Sequence, residues 1–235
     1  MKIQAIASVP RDIGLRLHWH CQREALFPLG LMPKEYGGAF WNQSLENGIE
    51  QAIRDGFDYV LTLDFDTIFD RSHVETLLRL ASENPDADAI VPWQVCRDSV
   101  DRLFGVRKPD GTFRRRFAEE EFEQDLMPID TGHFGLTLIR LAALEGLPRP
   151  LLWAQPGWQG HWNNEPVTEE DPTTCVHSDI YFWNLLRDHG RKMFLATQVR
   201  VGHLQQVVTW PTTEFGIEHQ YVEAFRAHGA PESTR

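Results

Sequence analysis

The chain has 235 residues, 42% hydrophobic and 24% charged, which supports a packed globular core and excludes a disordered or fibrous polypeptide. A formal net charge of −11 disfavours nucleic acid as a partner, because phosphate backbones are held by clustered lysine and arginine. Cys21, Cys96 and Cys175 are too few and too far apart for a disulfide framework, and no stretch is apolar enough over a bilayer's thickness, so the expectation is a reducing, cytoplasmic compartment without a transmembrane segment.

Lys2–Ser8 reads as a short apolar strand that stops at Val9-Pro10-Arg11. Trp41–Asp55 reads as a helix with Leu45, Ile49, Ala52 and Ile53 on one face and Gly56 as its stop. Phe57–Leu63 is almost continuously apolar, the pattern of a strand buried on both faces. A helix should follow, with a capping box from Ser72 and Glu75 and an apolar stripe of Val74, Leu77, Leu78 and Ala81, then a strand near Ala89–Val95.

Beyond this alternation the pattern changes. Leu103–Phe117 suggests a hairpin about Pro109-Asp110-Gly111. Its basic residues Arg107, Lys108 and Arg114 to Arg116 form a solvated face or a local anion contact. Thr131–Ile139 suggests a strand, and Gly146–Thr174, rich in Pro, Gly and Trp, an irregular functional loop. Ser178–His189 suggests a helix capped by Ser178 and stopped by Gly190; Val199–Val201 a short strand leading to Gly202-His203; and Gly216–Ala227 a final helix. Strands alternating with helices in the first half predict an α/β fold with a mixed, mainly parallel sheet flanked by helices.

The sharpest local feature is Asp64-Phe65-Asp66, directly after the buried strand. Ligands of open α/β sheets collect beyond the carboxyl ends of strands. If the chain stays extended, Asp64 and Asp66 point to one side and Phe65 to the other. Neighbouring carboxylates repel unless a cation lies between them, and Mg²⁺ or Mn²⁺, with substrate phosphates, suits such oxygen ligands.

Further motifs follow in order. Gly56-Phe57-Asp58-Tyr59 leads to the acidic pair, Thr131-Gly132-His133-Phe134-Gly135-Leu136 comes next, then Ser178-Asp179 opening a helix, then Val201-Gly202-His203. In these stretches the chain resembles GT-A glycosyltransferases, especially the inverting group related to glycosyltransferase family 2. The resemblance runs from Lys2 to about His203. It implies a Rossmann-like GT-A fold in one domain, with residues 1–97 binding a nucleotide-sugar and 98–235 carrying the acceptor and metal side. It further implies that Pro10, Arg11, Asp64, Phe65 and Asp66 bind the donor. Asp64, Asp66 and His203 would hold Mn²⁺ or Mg²⁺, and Asp179 would act as general base. The donor expected is a UDP-sugar, with a GDP-sugar second, and the acceptor is open. The sequence departs from the family where Ser178-Asp179 stands for its usual Glu-Asp pair and Trp41-Asn42 for a frequent Arg-Asn step.

Trp158, His161 and Trp162, on the Trp-rich loop, are candidates for contacting the acceptor, since aromatic faces stack on sugar rings. Gly37-Gly38 is a simple loop or a place where backbone approaches the donor. His133, His161 and His177 match no compact zinc spacing. Two other functions compete: another metal-dependent nucleotidyl or phosphoryl enzyme, and a noncatalytic nucleotide-sugar-binding module. The first lacks a glycine-rich basic phosphate loop after the first strand.

Overall fold

The computed structural model describes residues 1–9, 16–38, 40–96, 102–108, 112–114, 117–154, 177–205 and 207–234. Strand β1 (Ile3–Val9) is followed by α1 (Arg16–Cys21), which continues as a π-helical stretch (Gln22–Leu26) and a 3-10 turn (Phe27–Leu29). Then come β2 (Lys34–Gly37), α2 (Trp41–Arg54), β3 (Tyr59–Asp64), the two-residue β4 (Thr67–Ile68), α3 (Arg71–Glu83) and β5 (Ala89–Trp93). The second half supplies β6 (Val106–Arg107), β7 (Phe113–Arg114), β8 (Leu126–Pro128), β9 (Thr137–Arg140), α4 (Ser178–Asp188), β10 (Met193–Arg200) and β11 (Gly202–His203). It ends in β12 (Val207–Pro211), β13 (Ile217–Tyr221) and α5 (Val222–His228).

Seven strands form the main sheet in the order β2-β1-β3-β9-β5-β10-β8. β2, β1 and β3 are parallel, as are β5 and β10; β9 runs antiparallel between β3 and β5, and β8 is an antiparallel edge. The mixed, mainly parallel sheet expected from the alternating pattern is therefore present.

Residues of β1 divide between two cores, as period-two alternation requires. Ile6 packs with Leu45 and Ile49 of α2 and with Phe182 and Trp183 of α4. Ala5 and Ala7 pack on the opposite face with Ala25, Leu26 and the α3 residues Val74, Leu77 and Leu80. Both sheet faces are thus covered by helices, which explains the apolar run Val60, Leu61 and Leu63 in β3.

Several local expectations need correction. The α3 cap is Asp70, not Ser72: its carboxylate accepts from the backbone N–H groups of Ser72 and His73, and His73 Nδ1 accepts from the Asp70 N–H. Asp70 is the residue just before the helix, from which its oxygen reaches the orphan donors, whereas Ser72 already lies inside the first turn. Residues 131–136 do not extend β9, which begins only at Thr137. The expected final helix over Gly216–Ala227 is instead a hairpin followed by a shorter helix: Ile217–Tyr221 pairs antiparallel with Val207–Pro211 before α5 begins at Val222. Burial alternates along β13 with the period of a strand. The hairpin of β6 and β7 forms as expected, its turn residues 109–111 lying outside the described residues.

Candidate functional site

β3 carries Asp64 at its carboxyl end, and the chain turns at Phe65-Asp66 before entering β4. The alternation that would point both acids one way ends at this turn. Asp64 and Asp66 consequently meet different partners. Asp64 Oδ1 accepts a hydrogen bond of 3.1 Å from the indole Nε1 of Trp41, the first residue of α2. Trp41 is itself held edge-on against Phe134, at 5.4 Å between ring centroids. This tryptophan, which departs from the family's Arg-Asn step, therefore orients one carboxylate of the pair. Phe65 is half-buried in the turn.

Asp66 is buried. The antiparallel pairing of β4 with β11 places Thr67 opposite His203 and Ile68 opposite Gly202, and the Asp66 carbonyl accepts from Leu204 N at 2.7 Å. This ladder brings His203 Nε2 to 3.4 Å from Asp66 Oδ2. The other ring nitrogen, Nδ1, lies 2.9 Å from the carbonyl oxygen of Val95 and must carry a hydrogen to bond it. In the neutral ring Nε2 is then an acceptor facing an acceptor-only carboxylate. A proton on Nε2 or a cation between the two atoms resolves that contact.

The donor set suits a divalent cation. A histidine fixed through Nδ1–H to a backbone carbonyl is a typical metal-ligand arrangement. Adjacent ligands on an octahedral ion with bonds of about 2.1 Å stand roughly 3 Å apart, close to the separation here. Asp64, the third expected ligand, points its Oδ1 at Trp41. Among the described residues no three His, Cys, Asp or Glu side chains gather closely enough to hold a metal.

A buried carboxamide holds β4 and β11 together. Gln94 Nε2 donates to Thr67 Oγ1 at 3.2 Å and to the Gly202 carbonyl at 3.1 Å. Thr67 follows Asp66 and Gly202 precedes His203, so one side chain spans the neighbours of both residues. The Thr131-Gly132-His133-Phe134-Gly135-Leu136 segment packs beneath this bridge. A Cβ on Gly135 would stand 2.3 Å from Thr67 Oγ1, and one on Gly132 2.7 Å from Val91 Cγ2. Leu136, fully buried, has φ +60, a conformation that costs a non-glycine residue about 1–3 kcal/mol and persists only where packing enforces it.

Two further histidines border the site. His133 has both ring nitrogens engaged, Nε2 donating to the Pro92 carbonyl at 2.9 Å and Nδ1 accepting from Gly135 N–H at 3.1 Å. Burial pushes its pKa down to about 4. His18, on the inner side of α1, lies between Gln22 Nε2 at 2.7 Å and the Thr67 carbonyl at 3.5 Å. Burial lowers its pKa, against the opposing pull of the Thr67 carbonyl and Asp66.

Asp179 occupies the first turn of α4, where the helix dipole favours a carboxylate, and pairs with His177 Nδ1. Ser178 is the first residue of the helix and not its side-chain cap. Pro10 and Arg11 and the candidate acceptor residues Trp158, His161 and Trp162 lie outside the described residues. Gly38 approaches α2: a Cβ there would stand 2.6 Å from Ser44 Oγ. His18 carried no sequence signal for a role at the site, and Trp41 stood out only as a departure from the Arg-Asn step. For Gln94 the single hint was a polar residue directly after the apolar Ala89–Trp93 strand.

No protein-family model matches the chain. No curated protein matches it in sequence. Solved structures do match in fold. A197 from STIV superposes with a TM-score of 0.58 at 14% identity, covering 94% of each chain. GalNAc-T7, solved with UDP, GalNAc and Mn²⁺, superposes with a TM-score of 0.53 at 12% identity. That match covers 86% of this chain but 43% of GalNAc-T7. Sheet order, covered sheet faces and these superpositions agree: the chain has the GT-A glycosyltransferase fold that its ordered motifs led us to expect.

Proposed function

We propose that this protein is a metal-dependent glycosyltransferase that moves a sugar from a nucleotide-sugar to an acceptor hydroxyl or amine. The observation that carries the reading is the Asp66–His203 contact, Oδ2 and Nε2 3.4 Å apart with the far ring nitrogen fixed by a backbone carbonyl. UDP is the favoured nucleotide, since GalNAc-T7 of the same fold was solved with UDP and Mn²⁺. Its low identity and partial coverage make donor and metal proposals for this chain.

In this reading Asp66 and His203 hold Mn²⁺ or Mg²⁺, which supplies Lewis-acid stabilisation of the diphosphate leaving group. Asp64, oriented by Trp41, faces the donor's ribose side, with Pro10, Arg11 and Phe65 completing the donor contacts. Asp179 takes the proton from the acceptor as its oxygen or nitrogen attacks the anomeric carbon. The bond from that carbon to the diphosphate oxygen breaks, and the nucleoside diphosphate leaves on the opposite face, giving inversion. Trp158, His161 and Trp162 contribute to the acceptor side. Residues 1–97 and 98–235 work as one unit, because β9 and β10 from the second part lie in the same sheet as β1 and β3.

The test is release of UDP from a panel of UDP-sugars in the presence of Mn²⁺. Turnover by the wild type that is lost in both Asp66→Ala and Asp179→Asn supports the proposal. UDP binding without turnover of any donor, by hydrolysis or transfer, would instead identify a binding module.

A further inference from the structure

We propose that Arg102, Arg200 and the face of Trp93 form an oxyanion subsite beside the donor site, so that the acceptor is an anionic molecule carrying a carboxylate or phosphate group. The inference rests on the glycosyltransferase reading for the word acceptor, and on local geometry for the subsite itself.

Trp93 ends β5 on the side of the sheet where ligands of open α/β folds collect. The guanidinium carbon of Arg102 lies 4.6 Å from its ring centroid and that of Arg200 4.8 Å. The two cations are therefore no farther apart than about 10 Å, roughly one Debye length, and each disfavours the other. Cation–π attraction offsets part of this repulsion, about 0.5–1 kcal/mol for an exposed pair. An anion placed between the two offsets it more fully.

The protein has acidic groups in excess, and about half of its described arginines hold one. Arg71, Arg79, Arg114, Arg140 and Arg149 each hold a carboxylate. Among the described residues Arg102 and Arg200 hold none, and the Nε of Arg102 is buried without a hydrogen-bond partner. Arg200 is exposed and Arg102 half-buried, and a guanidinium kept partly out of water gains when a ligand supplies a counter-charge. Arginine's planar fork fits a carboxylate or a phosphate with two parallel hydrogen bonds.

The ring is rigidly presented. Trp93 stacks on Phe122 at 4.4 Å and meets Phe104 edge-on at 6.3 Å, so the platform does not have to order when a ligand arrives. Its position is tied to the candidate donor site through the backbone. Val201 N donates to the Trp93 carbonyl, Val95 two residues on accepts from His203, and Arg200 lies three residues before His203 on the same strand run. The pair is thereby anchored to the same backbone run that carries His203.

The experiment titrates the full chain, with and without UDP and Mn²⁺, with glycerol 3-phosphate and with glucuronate, using glycerol and glucose as neutral controls. Saturable binding of at least one anion and of neither control is expected, and which anion binds separates phosphate from carboxylate recognition. Affinity should fall about ten- to a hundredfold in Arg200→Gln and in Arg102→Gln, as loss of a hydrogen bond to a charged group implies. Arg200→Lys and Arg102→Lys, which keep the charge but lose the fork, should fall between. Binding undiminished in the Gln variants, or no saturable binding of either anion to the wild type, would overturn the subsite. Absence of UDP–Mn²⁺ binding by the wild type in the same series would remove the glycosyltransferase reading, while the anion titration without nucleotide still decides the subsite.

Discussion

His203 Nε2 faces Asp66 Oδ2 across 3.4 Å because two very short strands, β11 and β4, pair antiparallel as a two-stranded sheet of their own. Neither strand has length enough to hold its register unaided. Buried Gln94 supplies what the ladder lacks, bonding Thr67 on one strand and Gly202 on the other.

Replacing Gln94 by Leu should therefore loosen both strands while leaving the apolar volume nearly intact. Two bonds disappear, and the buried Thr67 hydroxyl and the Gly202 carbonyl each lose a donor. A cost of about 1–3 kcal/mol in urea unfolding is expected. The same variant should bind Mn²⁺ more weakly in the presence of UDP, whereas an equally destabilising substitution on α3 should leave Mn²⁺ affinity unchanged.

Gly135→Ala tests the floor of the site. Its Cβ would meet Thr67 Oγ1 at 2.3 Å, so β4 must shift or the substitution must strain its surroundings, with an expected loss of about 1–3 kcal/mol. Gly216→Ala, where the nearest contact is 3.2 Å to Thr212 Oγ1 in the turn of the β12–β13 hairpin, is the control for a glycine substitution with a looser surround. Equal effects at both positions in thermal unfolding would contradict the close packing of Gly135 under β4.

His133 makes stability depend on pH. Burial lowers its folded pKa from 6.5 to about 4. A lowered histidine pKa means the unfolded chain takes up a proton first as pH falls. Stability is therefore intact above the unfolded value of 6.5 and is lost progressively as pH drops toward the folded value of about 4. Over that window the loss from this one group is about 3 kcal/mol. Unfolding free energies measured at intervals between neutral pH and the folded pKa should fall more steeply for wild type than for His133→Gln. Parallel curves would show that His133 is not held neutral by the fold.

The elements legible in the sequence are those whose signal is local. The apolar run Val60 to Leu63 and the stripe Leu45, Ile49 and Ala52 mark β3 and α2 because burial periodicity lies within one segment. What escaped depends on partners far away in the chain. The pairing of His203 with Thr67 is a contact between short strands whose residues carry no period. The bond between Trp41 and Asp64 joins a helix start to a strand end, and the tryptophan looked only like a departure from a familiar motif. The segment from Ile217 to Tyr221 mixes apolar and polar residues at a spacing that also fits a helix, and only its partner Val207–Pro211 decides for a strand.

Asp179→Asn separates chemistry from binding. The amide keeps the shape at the start of α4 but cannot accept the acceptor's proton. Sugar transfer should fall by about two to four orders of magnitude, the usual worth of a positioned general base, with UDP affinity unchanged. Unchanged transfer would move the base elsewhere and leave the His177–Asp179 pair with a structural role.

Thermal unfolding with UDP, with and without Mn²⁺, on wild type and Asp66→Ala tests the central claim most directly. At a ligand concentration of about a hundred times its dissociation constant, binding adds about 2.7 kcal/mol to stability. The account predicts a UDP-dependent rise that requires Mn²⁺ and vanishes in Asp66→Ala. A rise indifferent to both the metal and the substitution, or no rise with any nucleotide, would contradict it.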